Sequence, residues 1–180
     1  MGNLQSIKTY TQWKKEEEEA RSFFQRRYPA EKDPYRQRFH LMPPVGFLND
    51  PNGLCFFRGI YHVYHQYRPF DPAGDGAKLW GHYGTKDFIS WHRFSPAGAP
   101  DTIWDRDGMY SGSALGEEDG IHFYYTGNVK KPGDFDYIYQ GREHNLIGAF
   151  SSDGRLIEQK KLLMANEDYP EDMTLHVRDP

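Results

Sequence analysis

Asp50 in "FLNDPNG" and Asp179 in the terminal "RDP" each stand directly before a proline. Asp-Pro and Asn-Gly are tight-turn signals, and turn chemistry explains each motif equally well when it is taken alone. The repetition also fits catalysis, because glycosidic bond cleavage needs carboxylates around one anomeric carbon, one to attack or stabilise charge and another to protonate the leaving oxygen. The pair therefore predicts a candidate carboxylate site, provided that the fold brings the two motifs together.

The elements that must position these aspartates are short strands. Eight strand candidates, rich in aromatic and β-branched residues, follow Asp50 in two sets of four. The first set is Leu54–Phe57, Ile60–Tyr67, Leu79–Thr85 and Ser90–Phe94, and the second is Met109–Leu115, Ile121–Thr126, Leu146–Ser151 and Leu156–Lys160. Two similar four-stranded units in succession indicate propeller blades.

Asp50, Ser111 and Asp179 mark equivalent points at the beginning of successive units, with spacings of 111 − 50 = 61 and 179 − 111 = 68 residues. These spacings exceed common propeller repeats of about 40 to 50 residues, and long loops such as "GNVKKPGDFDYIYQGREHN" account for the difference. The innermost strands of a propeller line its channel, so polar groups at their beginnings are expected to converge. Asp50 is thus expected at a strand end, at the mouth of the channel.

The predicted fold is all-β and preceded by a short N-terminal helix over Ser6–Arg27. Residues 1–39 form the helix and lead-in, blade 1 spans about 50–95, blade 2 about 108–162, and a third blade starts at 177–180. The run "KKEEEEAR" predicts a solvated helix face on which Glu17 and Arg21 pair at i, i+4.

Composition narrows the function classes. The 180-residue chain has a net charge of −4, which argues against a nucleic-acid partner. Cys55 is the only cysteine, so no intrachain disulfide is expected, and its strand-like surroundings favour a buried small residue over an activated thiol. No apolar run reaches the length of a signal peptide or a membrane span, which predicts a cytoplasmic protein without a membrane partner.

Five ordered blocks carry a resemblance to a known family. They are "FLNDPNG", "YHQYRPF", "LWGHYGTKDFISW", "DRDGMYSGSA" and "RDP". Together they resemble the signature blocks of glycoside hydrolase family 32, the invertase and sucrose-6-phosphate hydrolase family, over about His40 to Pro180. The resemblance implies a five-bladed β-propeller, of which this chain supplies two blades and the start of a third. It also implies retaining cleavage of β-fructofuranosides, with sucrose or sucrose-6-phosphate as the small-molecule substrate.

The resemblance also implies roles for individual residues. Asp50 matches the nucleophile, and Asp179 matches the carboxylate that grips fructose hydroxyls and stabilises the transition state. The implied substrate-binding residues are Leu48, Asn49, Pro51, Gln66, Trp80, Tyr110, Ser111 and Arg178. Gln66 is expected to bind the fructosyl unit and Trp80 to form an aromatic pocket wall. Core packing is the alternative for Trp80 and Tyr110, and satisfied strand polarity is the alternative for Gln66.

The sequence departs from the family pattern in two places. Phe47-Leu48 stands where relatives commonly carry a tryptophan, and no Glu-Cys pair matches the acid/base glutamate that follows "RDP" in the family. We therefore expect the chain to be an N-terminal fragment that is inactive alone. The alternative from another class is a non-catalytic sugar-binding module, which keeps the aromatic pocket without an acid.

No cofactor and no metal are expected for this chain. The nearest candidate ligand pair is His62 and His65, but residues three apart on a strand face opposite sides of the sheet.

Overall fold

The computed structural model describes residues 6–73, 76–170, 172–173 and 177–180. One helix and eight strands follow one another in these ranges: α1 (Tyr10–Arg27), β1 (Phe47–Phe57), β2 (Ile60–Arg68), β3 (Leu79–Thr85), β4 (Trp91–Arg93), β5 (Met109–Gly116), β6 (Ile121–Lys130), β7 (Arg142–Ser151) and β8 (Glu158–Met164). Short 3₁₀ turns lie at Ala30–Lys32 and Asn166–Asp168. No described helix combines the length and the apolar character that crossing a membrane requires.

Helix α1 begins later than predicted because a capping box fixes its first residue. The Gln12 backbone N–H donates to the Thr9 hydroxyl at 3.3 Å, and the Thr9 N–H donates to Gln12 Oε1 at 2.8 Å. These reciprocal bonds give hydrogen-bond acceptors to two backbone N–H groups that the start of the helix would otherwise leave unpaired. The helix therefore begins at Tyr10 rather than at Ser6.

The prediction of a solvated charge run on α1 is wrong at Glu17. Its side chain is only 1% exposed and lies between helix and sheet. It accepts from Arg93 Nη2 at 2.6 Å and from the Tyr67 hydroxyl at 3.2 Å, and the predicted pair with Arg21 is present at 3.3 Å. The carboxylate is thus the ionic anchor that docks α1 onto the first sheet.

The strands form two four-stranded antiparallel sheets in the orders β1-β2-β3-β4 and β5-β6-β7-β8. We refer to them as blade 1 and blade 2. The meandering order within each sheet is the blade pattern that the sequence predicts. Strand β3 matches its predicted limits, whereas β6 and β7 are longer than predicted.

Strand β8 lies closer to the C-terminus than the predicted Leu156–Lys160. The Ile157 N–H donates to the Ala97 carbonyl at 2.7 Å. That backbone group is therefore engaged by the connection between the blades instead of by β7, and the strand begins at Glu158. Residues 177–180, where a third blade is predicted to start, contain no regular secondary structure.

The turn predicted around Asp50 is a pair of bulges inside β1. The strand already begins at Phe47, and its register against β2 shifts between Leu48 and Pro51 and again between Asn52 and Cys55. Proline has no N–H to give to a ladder, and glycine accepts positive φ, so both are tolerated where a strand bulges. Asp50 therefore lies within a strand and not at its end, which corrects the prediction.

The core lies between the two blades. Large rings from both sheets fill it, and its buried members include Phe57, Tyr64, Trp80, Met109, Ile121, Phe123, Tyr125 and Ile147. The Trp80 ring centroid lies 5.9 to 6.0 Å from the rings of Tyr64, Phe123 and Tyr125. Such centroid separations are typical of favourable aromatic pairs. Blade 1 and blade 2 thus share one apolar interior.

The innermost strands β1 and β5 run side by side in the same direction. Near their beginnings, the Ser111 hydroxyl donates to Asp50 Oδ2 at 3.2 Å. Near their ends, a Cβ at Gly116 would lie 2.5 Å from the Phe56 carbonyl oxygen, so only glycine permits this approach. The two contacts set the relative register of the blades.

Blade 1 also contains three buried histidines with lowered pKa values. His62 Nδ1 and His82 Nε2 are 2.9 Å apart and form a hydrogen bond, and His82 stacks on Tyr64. Burial is the main cause of the shifts, and it lowers the pKa of His65 to about 4 and that of His82, which also faces His62, to about 2. These imidazoles are packed as neutral groups.

Removing the anchor of α1 should destabilise the chain. We expect Glu17→Gln to lower the free energy of unfolding by about 3 kcal/mol, because it leaves two guanidinium groups without their carboxylate. Urea unfolding monitored by tryptophan fluorescence measures this loss. The matched control is Glu19→Gln, whose side chain is 67% exposed beside Lys15 and should cost at most about 0.5 kcal/mol. Equal effects of the two substitutions would contradict the anchor.

The buried histidines should make the chain sensitive to acid. Their folded-state pKa values lie below the unfolded value of about 6.5, so the stability that they permit is present above pH 6.5 and is lost as pH falls from there towards pH 4 for His65 and further for His82. We expect the free energy of unfolding to fall less steeply between pH 7 and 5 in His82→Leu, by up to about 1.4 kcal/mol per pH unit, because one proton fewer is taken up on unfolding. Thermal unfolding at several pH values measures this difference. Exposed His40 provides the control, and an equal flattening by His40→Gln would contradict the assignment.

Candidate functional site

Asp50 is exposed and lies where the bulged part of β1 faces the beginning of β5. Its Oδ2 accepts the hydrogen bond from Ser111 described above. The predicted meeting of these two residues, which are 61 positions apart, is therefore present in the structure. One hydroxyl donor leaves the carboxylate with accessible lone pairs for a ligand.

The neighbours of Asp50 in the "FLNDPNG" block differ in exposure. Leu48 and Asn49 are half-buried, whereas Pro51 is exposed. Asn49 Oδ1 is buried and has no hydrogen-bond partner among the described residues. Leu48 pairs with Tyr67 in the ladder, which fixes the strand immediately before the bulge. The block thus presents a carboxylate and an amide from a backbone held on both sides.

Tyr110 lies beside the site and not in the core, which excludes core packing as its role. Its hydroxyl accepts from Arg142 Nη1 at 2.7 Å. Two cations flank the ring, with Lys78 Nζ at 4.7 Å and Arg142 Cζ at 5.7 Å from its centroid. A register shift between Met109 and Gly112 places Tyr110 and Ser111 in a bulge of β5, opposite the bulge of β1.

Lys78 is a site residue that the sequence does not reveal. Its backbone carbonyl accepts the Met109 N–H at 3.0 Å, which ties the segment before β3 to the beginning of β5. The pKa of its ammonium group is lowered to about 8, mainly by burial and also by the neighbouring cations Arg68, Arg178 and Arg142, while Asp50 opposes this shift. Lys78 therefore lies within electrostatic reach of both Asp50 and Arg178.

Trp80 and Gln66 lie below the site rather than in it. Both side chains are fully buried at 0% exposure. Trp80 Nε1 donates to the Tyr110 carbonyl at 3.0 Å, and Gln66 Nε2 donates to the Met109 carbonyl at 2.9 Å. The predicted pocket wall at Trp80 is therefore wrong, because the ring packs in the interface between the blades. In the described structure Gln66 also reaches no surface, and both residues hold the beginning of β5.

Arg178 and Asp179 approach the site from the last residues of the chain. The Asp179 N–H donates to the Thr126 hydroxyl at 3.0 Å, and its backbone has a φ of +62°. A positive φ is unusual for aspartate and indicates a constrained conformation. The Arg178 guanidinium lies 3.9 Å from the Asp179 carboxylate, and both side chains are about half exposed.

The sequence does not predict the cations Lys78 and Arg142 as site residues, because neither belongs to a recognisable motif. Arg142 lies inside a stretch that reads as a loop, and Lys78 precedes a strand without any motif of its own. Arg142 donates to Asn128 Oδ1 at 2.9 Å in addition to Tyr110, so a side-chain network across blade 2 holds it at the site. A cation in a long loop next to a strand of aromatic residues is the only signal that could have found it.

One group of metal-ligand types is present among the described residues, and it is remote from Asp50. Glu117, Asp119 and His122 bring ligand atoms within 4.8 Å of one another at the β5–β6 turn. His122 already hydrogen bonds to Asp119 at 3.3 Å. This turn follows the end of β5, opposite the end that carries Ser111, so the group belongs to another part of the surface.

The chain is similar to proteins of one family throughout most of its length. Residues 40–180 match the family model described as "Glycosyl hydrolases family 32 N-terminal domain". The chain is 45% identical over 151 residues to the sucrose-6-phosphate hydrolase of Bacillus subtilis, and this region is 84% of the chain and 29% of that relative. It is 39% identical over 146 residues to the enzyme of the same name from Staphylococcus xylosus, covering 81% of the chain and 28% of that relative.

Solved structures of sucrose-6-phosphate hydrolase and of a beta-fructofuranosidase are also similar to this chain. Sucrose-6-phosphate hydrolase from Lactobacillus gasseri is 31% identical with a TM-score of 0.76, over all of this chain and 34% of that chain. The Bombyx mori GH32 beta-fructofuranosidase solved in complex with sucrose is 30% identical with a TM-score of 0.74, over 96% of this chain and 34% of that chain. This chain thus spans about a third or less of the length of these relatives, and its two blades are part of a β-propeller.

The role of Trp80 in holding the site is testable. We expect Trp80→Phe to lower the free energy of unfolding by about 2 kcal/mol, since it opens a cavity between the blades and leaves the Tyr110 carbonyl without its donor. The NMR signals of Tyr110 and Ser111 should move as well. Trp91→Phe in the edge strand β4 is the control and should leave these signals in place. Unmoved signals in the Trp80 variant would contradict the positioning role.

Proposed function

The chain belongs to glycoside hydrolase family 32, and from this premise we propose that the complete protein hydrolyses β-fructofuranosidic bonds with retention of anomeric configuration. The observation that carries the proposal is the exposed carboxylate of Asp50, which the bulge of β1 presents beside the hydroxyl of Ser111. A fixed carboxylate with free lone pairs is the group that a retaining mechanism needs for attack.

We assign the nucleophilic role to Asp50. One carboxylate oxygen attacks the anomeric carbon of the fructosyl unit, the bond to the leaving oxygen breaks, and a fructosyl ester forms on Asp50. Water then cleaves this ester and releases fructose. The leaving oxygen needs a proton from a carboxylic acid, and we assign none of the described residues to that role.

The other residues at the site have supporting roles in this proposal. Asp179 accepts hydrogen bonds from fructose hydroxyls and stabilises the positive charge of the transition state. Ser111, Tyr110 and Arg178 bind the sugar, together with Leu48, Asn49 and Pro51 of the first block. The constrained backbone of Asp179 supports its role, because strained conformations cluster at functional sites.

We propose sucrose or sucrose-6-phosphate as the substrate. The support is the similarity to sucrose-6-phosphate hydrolases and to a beta-fructofuranosidase that was solved with sucrose. A carbohydrate partner also agrees with a site that combines a carboxylate, an amide, a hydroxyl and tyrosine rings.

The assignment of Asp50 predicts the kinetics of a protein in which this chain is joined to the remaining length of its relatives. We expect Asp50→Asn to lower kcat at least about 10³-fold with a small change in substrate binding, because it removes the attacking oxygen and little else. Hydrolysis of sucrose and sucrose-6-phosphate, measured by glucose or glucose-6-phosphate release, gives the rates. NMR of the first-formed fructose should show retention.

The matched control is Glu118→Gln, an exposed carboxylate at the β5–β6 turn. Its kinetics should equal those of the unsubstituted protein. Inversion of the first-formed product would overturn the nucleophilic role of Asp50. Binding of sucrose without any cleavage by the unsubstituted protein would instead establish a non-catalytic sugar-binding module.

A further inference from the structure

Thr126 carries a buried hydroxyl to which the proposed reaction gives no role. The residue lies in β6 between Tyr125 and Gly127 and is 2% exposed. Successive side chains of a strand point to opposite faces of the sheet. Tyr125 points into the core between the blades, where its hydroxyl donates to Asp105 at 2.8 Å. Thr126 therefore points to the other face of blade 2, away from blade 1.

Thr126 also lies at the end of blade 2 that carries the site. Gly127 pairs with Met109, and Tyr125 pairs with Gly112. The one residue between these two pairs on β6 is Thr126, and it lies opposite the bulge of β5 that contains Ser111. Ser111 is the donor to Asp50, so the hydroxyl of Thr126 is at the same end of the strands as the candidate nucleophile.

The hydroxyl of Thr126 holds the backbone of Asp179. The Asp179 N–H donates to Thr126 Oγ1 at 3.0 Å, and the two residues are 53 positions apart. Within the part of the chain that the structure describes, no other hydrogen bond connects residues 177–180 to the sheets. This bond therefore ties the "RDP" segment to blade 2.

The conformation of Asp179 needs such a restraint. Its φ of +62° lies in the left-handed region, which is unfavourable for a residue with a Cβ. Pro180 adds a second conflict, because a residue before proline favours extended backbone. Unfavourable conformations persist only where the surrounding structure fixes them. The Thr126 hydroxyl provides this restraint at the N–H of Asp179 itself.

We propose that Thr126 is a positioning residue, whose hydroxyl holds the Asp179 backbone in the conformation that directs its carboxylate at the fructosyl unit. This inference rests on the proposed function, because that function assigns the Asp179 carboxylate to the fructose hydroxyls. Thr126 is covered and acts through Asp179 instead of touching the sugar. Its β-branched side chain suits this role, since restricted rotation about χ1 keeps the hydroxyl in one orientation.

Amide hydrogen exchange of the 180-residue chain, followed by NMR, tests the bond without any need for catalysis. Thr126→Val replaces the hydroxyl with a methyl group and keeps a β-branched side chain. We expect the Asp179 N–H to exchange about 5-fold faster in this variant, because one hydrogen bond of ordinary strength is lost. Thr126→Ser keeps the hydroxyl and should retain slow exchange.

Kinetics of the complete protein test the consequence for the reaction. Thr126→Val should lower kcat for fructoside cleavage about 10-fold with little change in KM, because a displaced Asp179 stabilises the transition state less well. Thr126→Ser should restore most of the rate. The matched control is Thr85→Val, which removes a hydroxyl that is 3% exposed and accepts from the Phe88 N–H at 2.9 Å in blade 1. It should lower stability and leave kcat unchanged.

A double variant separates positioning from a merely structural role. Asp179→Asn removes the carboxylate and keeps the backbone N–H. Since Thr126 acts through that carboxylate in this proposal, Thr126→Val should change kcat less than about 2-fold in the Asp179→Asn background. Losses that multiply in the double variant would overturn the proposal.

Two further outcomes would contradict the positioning role. They are unchanged exchange of the Asp179 N–H in Thr126→Val, and unchanged kcat in this variant when the unsubstituted protein cleaves fructosides. Absence of cleavage by the unsubstituted complete protein, together with the expected faster exchange in Thr126→Val, would instead refute the proposed function alone.

Discussion

The burial of Trp80 between the blades is the constraint on which the candidate site depends. An indole in an apolar interface contributes a large buried area, but its N–H needs an acceptor because an unpaired buried donor costs about 1 to 3 kcal/mol. The acceptor is the carbonyl of Tyr110 on the neighbouring blade, at 3.0 Å. Apolar packing sets the distance between the sheets, and this bond, together with those that Gln66 and Lys78 make to Met109, fixes the beginning of β5 against blade 1. Ser111 meets Asp50 as a consequence, so the geometry of the site follows from the core beneath it.

Irregular backbone then makes the carboxylate accessible. In a regular strand, side chains alternate between two faces, and one residue of slippage exchanges them. Asp50 lies in the first of the two bulges of β1, which interrupts this alternation and leaves its side chain exposed. Gly112 allows the matching bulge in β5, since a Cβ there would collide with the Tyr124 carbonyl. The turn residues in the sequence thus specify bulges, which are common beside functional sites.

The parts of the structure that were predictable from the sequence depend on local signals, and the others depend on contacts between distant residues. Strand β3 was placed correctly because a run of aromatic residues between turn signals determines it locally. The charge run of α1 misled at Glu17, since helical periodicity does not tell which acidic residue will face an arginine of the sheet. Trp80 was assigned to a pocket because a tryptophan in a signature block looks the same whether it touches sugar or core. Lys78 and Arg142 come together across 142 − 78 = 64 residues, and no local pattern encodes that approach.

The same physical chemistry that stabilises the interior makes the cations beside Asp50 unfavourable for the stability of the chain. Burial first, and the like charges of three arginines after it, disfavour the charged form of Lys78 and lower its pKa to about 8. Stability alone would favour a neutral residue at position 78, as the apolar core around Trp80 illustrates. On this argument the cations lower the stability of the free chain, so the fold alone does not account for their place beside Asp50.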